Sequence, residues 1–405
     1  MSFDIALSGI QAINQQLDAT SNNIANAGTY GFKSSRTNFA SLYAGDQPNG
    51  VEVGSMTQNI GAQGGVQSTG RDMDAMIQGR GFFVSRDAQG VMNYTRVGIF
   101  DVDKNGYLVD ASKRRVQGYG SANGGAALGV MGDIVVPTGQ IPAVATTKIT
   151  YVGNMSADWP VPVAPFDSAD PTSYNMVKQS ILYDSLGTKH TVDQYYVKSA
   201  AANTVNVYYS FDGAAITTAL PPPAVPAVPI PLTFNANGQL TMAPPTVALI
   251  LPAGGGAAAV PFKIDYTGTT QFAGDAVTST NRPDGYASGV FVGAKLGEDG
   301  SVIAKYSNEE QQVVGTIALA TFPDEGQLAQ ISDTSWTASQ ASGNPLYDRP
   351  GVGLAGKLGI TKLEGSNVDV TSELVGLMTS QRNYQANSKV ITTENAMMQS
   401  LMQAM

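Results

Sequence analysis

Written in heptads, the first thirty residues put Phe3, Ile10, Leu17 and Ile24 at every seventh position, with Ala6, Ile13, Thr20 and Ala27 on the adjoining stripe. Alternating steps of three and four predict an amphipathic helix with a coiled-coil-like seam. Ser2 can cap its start, Asp4 suits its first turn, and Gly28 is placed to stop it. The far end of the chain repeats the pattern: Val370, Leu374, Leu377, Tyr384, Ile391, Met398, Met402 and Met405 share one series, interrupted by Gln381, Ser388 and Asn395. Asn367 or Asp369 would cap this second helix, which at ~36 residues spans about 54 Å.

Between these ends the period changes from about 3.6 to 2. The stretch from Gly81 to Tyr119 predicts four short strands, broken at Ala88-Gln89-Gly90, Asp103-Lys104-Asn105-Gly106 and Ala111-Ser112-Lys113, with Asn105-Gly106 a strong hairpin signal. Further strands are expected over 179–183, 191–197, 205–211, 287–292, 302–306 and 312–322. The Pro-rich run Ala219 to Leu232 reads as a stiff surface loop, and the Ala/Gly tract Pro252 to Phe262 as another loop. Composition shifts near Ala145 and Asn281. The fold class expected is therefore α+β, mainly β, with paired terminal helices and two nested β domains. In residues, 1–29 and 365–405 form the helical domain and 30–70 a connector. A β-rich middle domain takes 71–145 and 285–364, and an inserted outer β domain takes 146–284.

Composition narrows the function classes. Of 405 residues, only 14% are charged against the roughly 25% usual for soluble chains. The net charge of −9, with no basic cluster, argues against a nucleic-acid partner. There is no cysteine, which excludes a disulfide scaffold, a thiolate metal site and a cysteine nucleophile. The start has no basic n-region or continuous apolar h-region, and no apolar run reaches the ~20 residues of a membrane span. No cleaved signal peptide and no membrane insertion are the expectations; if the protein leaves the cell, another route carries it.

Apparent chemical motifs fail on inspection. Asp101 to Ser112 begins like a calcium loop but ends in Ser112 where a bidentate Glu is needed, and strands rather than helices flank it. Gly351 to Leu358 satisfies G-x-G-x-x-G, yet Arg349-Pro350 precedes it and no helix follows to present its dipole to an anion. It reads as a flexible glycine turn. His190 is the single histidine and reads as ordinary surface; Glu309-Glu310 and Asp324-Glu325 read as solvated charge. No enzyme, cofactor or metal is expected.

The two ends carry the functional reading. A lone helix is marginal in water, and its ordering is repaid only by packing, about 1.5–3 kcal/mol for each large side chain buried. The outer faces hold Gln11, Asn14, Gln15, Ser21, Asn22, Gln385 and Gln399, where a solvated helix would carry Lys and Glu. Such faces suit contact with other copies; an intramolecular helical hairpin capping a β domain is the plainer alternative.

Three motifs in order resemble the flagellar rod and hook family. The first is "NNIANAGTYGFKSS", with Asn22, Asn23, Ile24, Ala25, Asn26, Thr29, Gly31, Phe32 and Lys33 at the family's positions. The second is the block from Gly81 to Tyr119. The third is the end, with Ser366-Asn367-Val368-Asp369 and Gln381-Arg382-Asn383-Tyr384-Gln385. The insert of about 145–284, with "DPTSYN" and "LYDSLGTKHTV", and then "YSNEEQQVVGTIALATF", is similar to the hook members rather than the shorter rod members.

The resemblance implies a homopolymer outside the cell, a curved helical tube enclosing an export channel and acting as a universal joint that passes torque from rod to filament. Its implied partners are many further copies of itself, a rod protein at the proximal end and a junction protein at the distal end. Cap and length-control proteins during assembly, and the flagellar type III export apparatus, complete the set. Self-assembly would rest on Phe3, Ile10, Ile13, Leu17, Ile24, Asn22, Asn23, Asn26, Tyr30, Gly31, Phe32 and Lys33 at the start. At the end it would rest on Val370, Leu374, Leu377, Tyr384, Ile391, Met398 and Met402. Tyr30 and Phe32 are expected to anchor the connector on a neighbour, and the glycine runs 61–70 and 351–359 to take up hinge motion. A distal rod protein, or a β-rich extracellular adhesin, is the alternative.

Overall fold

In the computed structural model the described residues are 2–44, 47–121, 128–215, 229–243, 245–251, 253–331 and 334–404. Most of the Pro-rich run, together with Pro252 and Met405, lies outside them. Two helices, α1 (Ser2–Ala25) and α2 (Val370–Ala404), stand at the chain ends and nearly everything between is strand. The chain divides into two compact units. One contains 1–138, 292–305 and 311–405; the other contains 139–291 and 306–310.

In the first unit the helices run antiparallel, Gly9 level with Asn387 and Asn23 level with Glu373. A Cβ on Gly9 would lie 2.9 Å from Asn387 Nδ2, so glycine permits the close approach. Most of the buried positions are small: Ala6, Ala12, Ala19, Thr20 and Asn23 of α1 are buried, with Ile13, as is Ser380 of α2. Ala6, Ile13 and Thr20 of the expected adjoining stripe are thus buried, while the every-seventh series is corrected. Phe3 is 40% exposed, Ile10, Leu17 and Ile24 are half-buried, and among the described apolar residues of the α2 series only Leu377 and Ile391 are partly sheltered. Close packing through alanine and glycine turns the bulky residues outward. Asp369 caps α2, its Oδ1 accepting from Thr371 N at 3.0 Å.

Alongside α1 lies an antiparallel hairpin of β1 (Ser35–Ala44) and β2 (Gln47–Gln58), inside the span read as connector. Ser8 Oγ accepts from Val51 N and so ties hairpin to helix. The β body of this unit is built on a thirteen-stranded sheet among the described residues. Phe82, Val84, Tyr94, Ala320, Phe322 and Trp336 form its core, with Trp336 and Phe82 ring centroids 5.6 Å apart. Five strands rather than four occupy the 81–121 block, because the second breaks at Gly98. There a side chain would overlap the Ala75 carbonyl, and Ala75 N donates to Gly98 O.

The second unit pairs a four-stranded with a five-stranded sheet around Ile149, Tyr151, Val192, Tyr196, Val207, Leu249, Phe262 and Ile264. Gln194, itself buried, joins them: its Oε1 accepts from Tyr196 Oη and Tyr266 Oη at 3.0 and 2.6 Å. Of the strand expected over 287–292 only Phe291 and Val292 are strand. Tyr286 and Gly289 make only isolated bridges to Val144 and Ile141, and the next strand starts at Phe291. His190 is no ordinary surface residue either, being held between Asp212 and Asp184 at 2.8 and 3.4 Å.

Candidate functional site

Three segments cross where the helices meet the β body: residues 29–35 leaving α1, the loop 59–65 after β2, and 361–369 entering α2. Glu364 is the centre. Its carboxylate takes Lys33 Nζ at 2.6 Å, Gly64 N at 3.2 Å and Arg96 Nη1 at 3.5 Å, while its carbonyl accepts from Gly31 N at 2.8 Å. The side chains of Lys33 and Glu364 are 0% exposed and that of Arg96 2%. Buried charge is costly unless paired and hydrogen-bonded, so this node is held by its geometry. Burial draws the Lys33 ammonium below its ordinary range, against the pull of Glu364, and it works against the Arg96 guanidinium in the same way. Arg96 also donates to Gly79 O and lies 5.2 Å over the Phe82 ring.

Asparagine amides complete the junction by imitating backbone. Asn23 exchanges a pair of hydrogen bonds with Ser35, accepting from its N at 2.9 Å and donating to its O at 2.8 Å. The same Nδ2 reaches Glu373 Oε1 at 2.8 Å, joining the end of α1 to the start of α2. Asn367 accepts from Ser34 N at 2.7 Å and donates to Asn59 O and Ala62 O, so it braces the crossing rather than capping α2. Asn26 Nδ2 donates to Asn22 O at 3.0 Å, a carbonyl that also accepts from Asn26 N at 3.1 Å, and so doubles the last helical bond. Asn22 itself is exposed.

Glycine permits the crossing at two points. Gly31, at φ +66°, lies against Val97 and is the left-handed residue of the exit; the expected stop, Gly28, has ordinary φ and open space around it. At Gly64 any side chain would overlap the Gly365 carbonyl, and Gly365 N donates to Gly65 O at 2.7 Å. The 61–70 run is therefore pinned, not slack. So is the 351–359 turn, where Gly351 N donates to Gly356 O and Gly356 N to Arg80 O. The Asp101 to Ser112 stretch folds as Asx turns, with Asp103 accepting from Asn105 N and Tyr107 N.

The expected assembly residues therefore separate by burial, with Ile10, Leu17, Ile24, Asn26, Leu377 and Ile391 half-buried between the extremes. Asn23, Gly31, Phe32 and Lys33 are buried within their own chain, as is Ile13. Phe32 is 5% exposed, which corrects its expected role as an anchor on a neighbour, while Tyr30 is half-buried. Phe3, Val370, Leu374, Tyr384, Met398 and Met402 remain exposed, beside Ile5, Leu7, Val375, Met378 and Leu401. Sequence reasoning missed Arg96 and Glu364: Arg96 is the lone charge of "YTRVGIF", whereas "KLEGS" sets Glu364 two residues from Lys362 and gives no such signal.

Terminal helices whose large apolar residues face outward, seated by a buried polar node on a β body, are the architecture of a structural subunit. The comparisons say which. The Flagella basal body rod protein family matches residues 3–33 and the Flagellar hook protein FlgE/F/G D1 domain matches 76–157. The Flagellar basal body protein FlaE D2 domain matches 154–286, and the Flagellar basal body rod FlgEFG protein C-terminal family matches 361–404. The chain is 36% identical over 409 residues to the flagellar hook protein FlgE of Salmonella typhimurium, covering 99% of each. It is 34% identical over 410 residues to that of Escherichia coli, again covering 99% of each. The crystal structure of the Helicobacter pylori flagellar hook protein FlgE2 shares its fold. The TM-score is 0.50 at 12% identity, over 72% of this chain and 98% of that one. The chain belongs to the flagellar hook protein family, a family of structural proteins of the bacterial flagellum and not of enzymes.

Proposed function

We propose that many copies of this chain form the hook as a curved tube, with α1 and α2 paired coiled-coil fashion as its inner wall. The β body stands outside them and the inserted β domain, about 146–284, outermost. The exposed apolar face of α2 carries this reading. Val370, Leu374, Val375, Met378, Leu401 and Met402 are each 40–74% exposed on a helix with few charges to solvate it. Leaving such a stripe in water forgoes roughly 1.5–3 kcal/mol for each large side chain, which neighbouring copies would recover.

On this reading the tube encloses the export channel and bends as a universal joint, with the junction at Glu364 holding each helix pair square to its β body. The rod at one end, the filament junction at the other and the type III export route are the partners this role calls for. Electron microscopy of the purified protein at rising concentration tests it: curved tubes are expected. A preparation that stays monomeric throughout, with both helices protease-resistant, would overturn it.

A further inference from the structure

The helices differ in length, 24 residues against 35. The register set by Gly9 with Asn387 and by Asn23 with Glu373 brings Ser2 level with about Glu394. Residues 395–404 of α2 therefore extend past the start of α1, roughly 15 Å of helix. This overhang, "NAMMQSLMQA", carries no charge. Its large side chains all lie open: Met397 is 53% exposed, Met398 62%, Leu401 60% and Met402 74%. By contrast Met73, Met76 and Met155 are at most 8% exposed. With no cysteine in the chain, methionine thioethers are its oxidisable sulfur.

From this we infer that Met397, Met398 and Met402 form an oxidation-sensitive assembly element, open to peroxide in the free subunit and closed off in the polymer. The inference rests on the assembly reading above and adds its chemical control. Hydrogen peroxide transfers one oxygen to the thioether sulfur: the S=O bond forms, the O–O bond breaks, sulfur loses two electrons and water leaves. The product is a polar, chiral sulfoxide in place of a flexible apolar side chain, and it spoils methionine-rich contacts. Three sulfoxides on two turns of an uncharged helix would put strong acceptors where a neighbour expects apolar surface. Reduction of the sulfoxides reverses the change, so the element is a switch rather than damage.

The test uses the full chain under conditions in which untreated protein forms tubes. Limited peroxide, followed by peptide mass spectrometry, should place sulfoxide at 397, 398 and 402 well before 73, 76 or 155. Treated protein should then need roughly tenfold or more higher concentration to polymerise, and methionine sulfoxide reductases should restore it. A Met397→Leu/Met398→Leu/Met402→Leu chain, which keeps the exposed Met56 and Met378, should polymerise before and after treatment alike. Wild type that carries all three sulfoxides yet polymerises as before overturns the inference, as does a leucine variant impaired as much as wild type. Failure of the untreated chain to form tubes would instead strike the assembly reading itself.

Discussion

Lys33 and Glu364 close a fully buried ion pair 2.6 Å long across 331 positions of sequence. The pair joins the segment leaving the first helix to the segment entering the second. The relative orientation of helices and β body thus rests on a contact with no access to water, and salt will screen it little.

Breaking such a pair from one side leaves an uncompensated buried charge. Lys33→Met should destabilise the first unit by about 3–5 kcal/mol, and Glu364→Gln comparably, whereas the double replacement should cost less than the sum. Urea unfolding followed by the fluorescence of Trp336, whose indole is 1% exposed in the same unit, reads the change directly. Single variants within about 1 kcal/mol of wild type would show the node to be dispensable.

Gly64 and Gly28 make a paired experiment. Gly64→Ala drives a methyl into the Gly365 carbonyl, backbone that cannot turn aside, while Gly28→Ala meets nothing within 4 Å. The first should cost more than about 2 kcal/mol; the second should be neutral or stabilise by up to about 1 kcal/mol through the unfolded chain. Equal melting temperatures for the two would refute the close crossing.

How much of this was legible follows from the residues. The helices were, because their 3/4 pattern is long and capped. Their buried faces were legible in part: Ala6, Ile13 and Thr20 lie on the adjoining stripe, but Ala12 and Ala19 give weaker hydropathy than the exposed Phe3, which drew the main series. β1 and β2 escaped notice because Phe39, Tyr43 and Met56 stay exposed among polar neighbours, so the alternation marks no buried face. Lys33 lay inside a recognisable motif, but charge is ordinarily read as surface. Only the crossing of three remote segments makes it core. Asn23 shows the same limit: three adjacent asparagine signals looked alike, and the fold buries one.

Phe32 illustrates how burial changes an expectation. As an anchor on a neighbouring copy, its loss would weaken polymerisation and leave the subunit intact. At 5% exposure, with its carbonyl accepting from Asn367 N, it belongs to the junction of its own chain. Phe32→Ala should therefore destabilise the isolated subunit by about 3–5 kcal/mol. Calorimetry of the monomer checks this; an unchanged melt with lost polymerisation would return Phe32 to the interface.

The second unit should respond to pH through His190. Burial alone would lower its pKa, but hydrogen bonds to Asp212 and Asp184 outweigh that and hold it above the usual value. Both carboxylates sit below their ordinary range: burial opposes this, His190 and Thr191 hold Asp212 down, and the amides of Thr188 and Leu186 with His190 hold Asp184 down. A raised histidine contributes stability that is complete below the unfolded value near ~6.5 and lost as pH climbs through the folded one. Lowered carboxylates contribute above ~3.9 and lose it as pH falls through their folded values. The window of greatest stability thus lies at roughly pH 4–6.5, and the unit should melt lower at pH 8.5 than at pH 5.5. In a Trp336→Phe background, Trp159 beside the core of this unit reports its unfolding alone. His190→Gln should flatten the alkaline arm of that profile. A variant whose melting temperature falls with pH as steeply as the parent's would remove the histidine from the account.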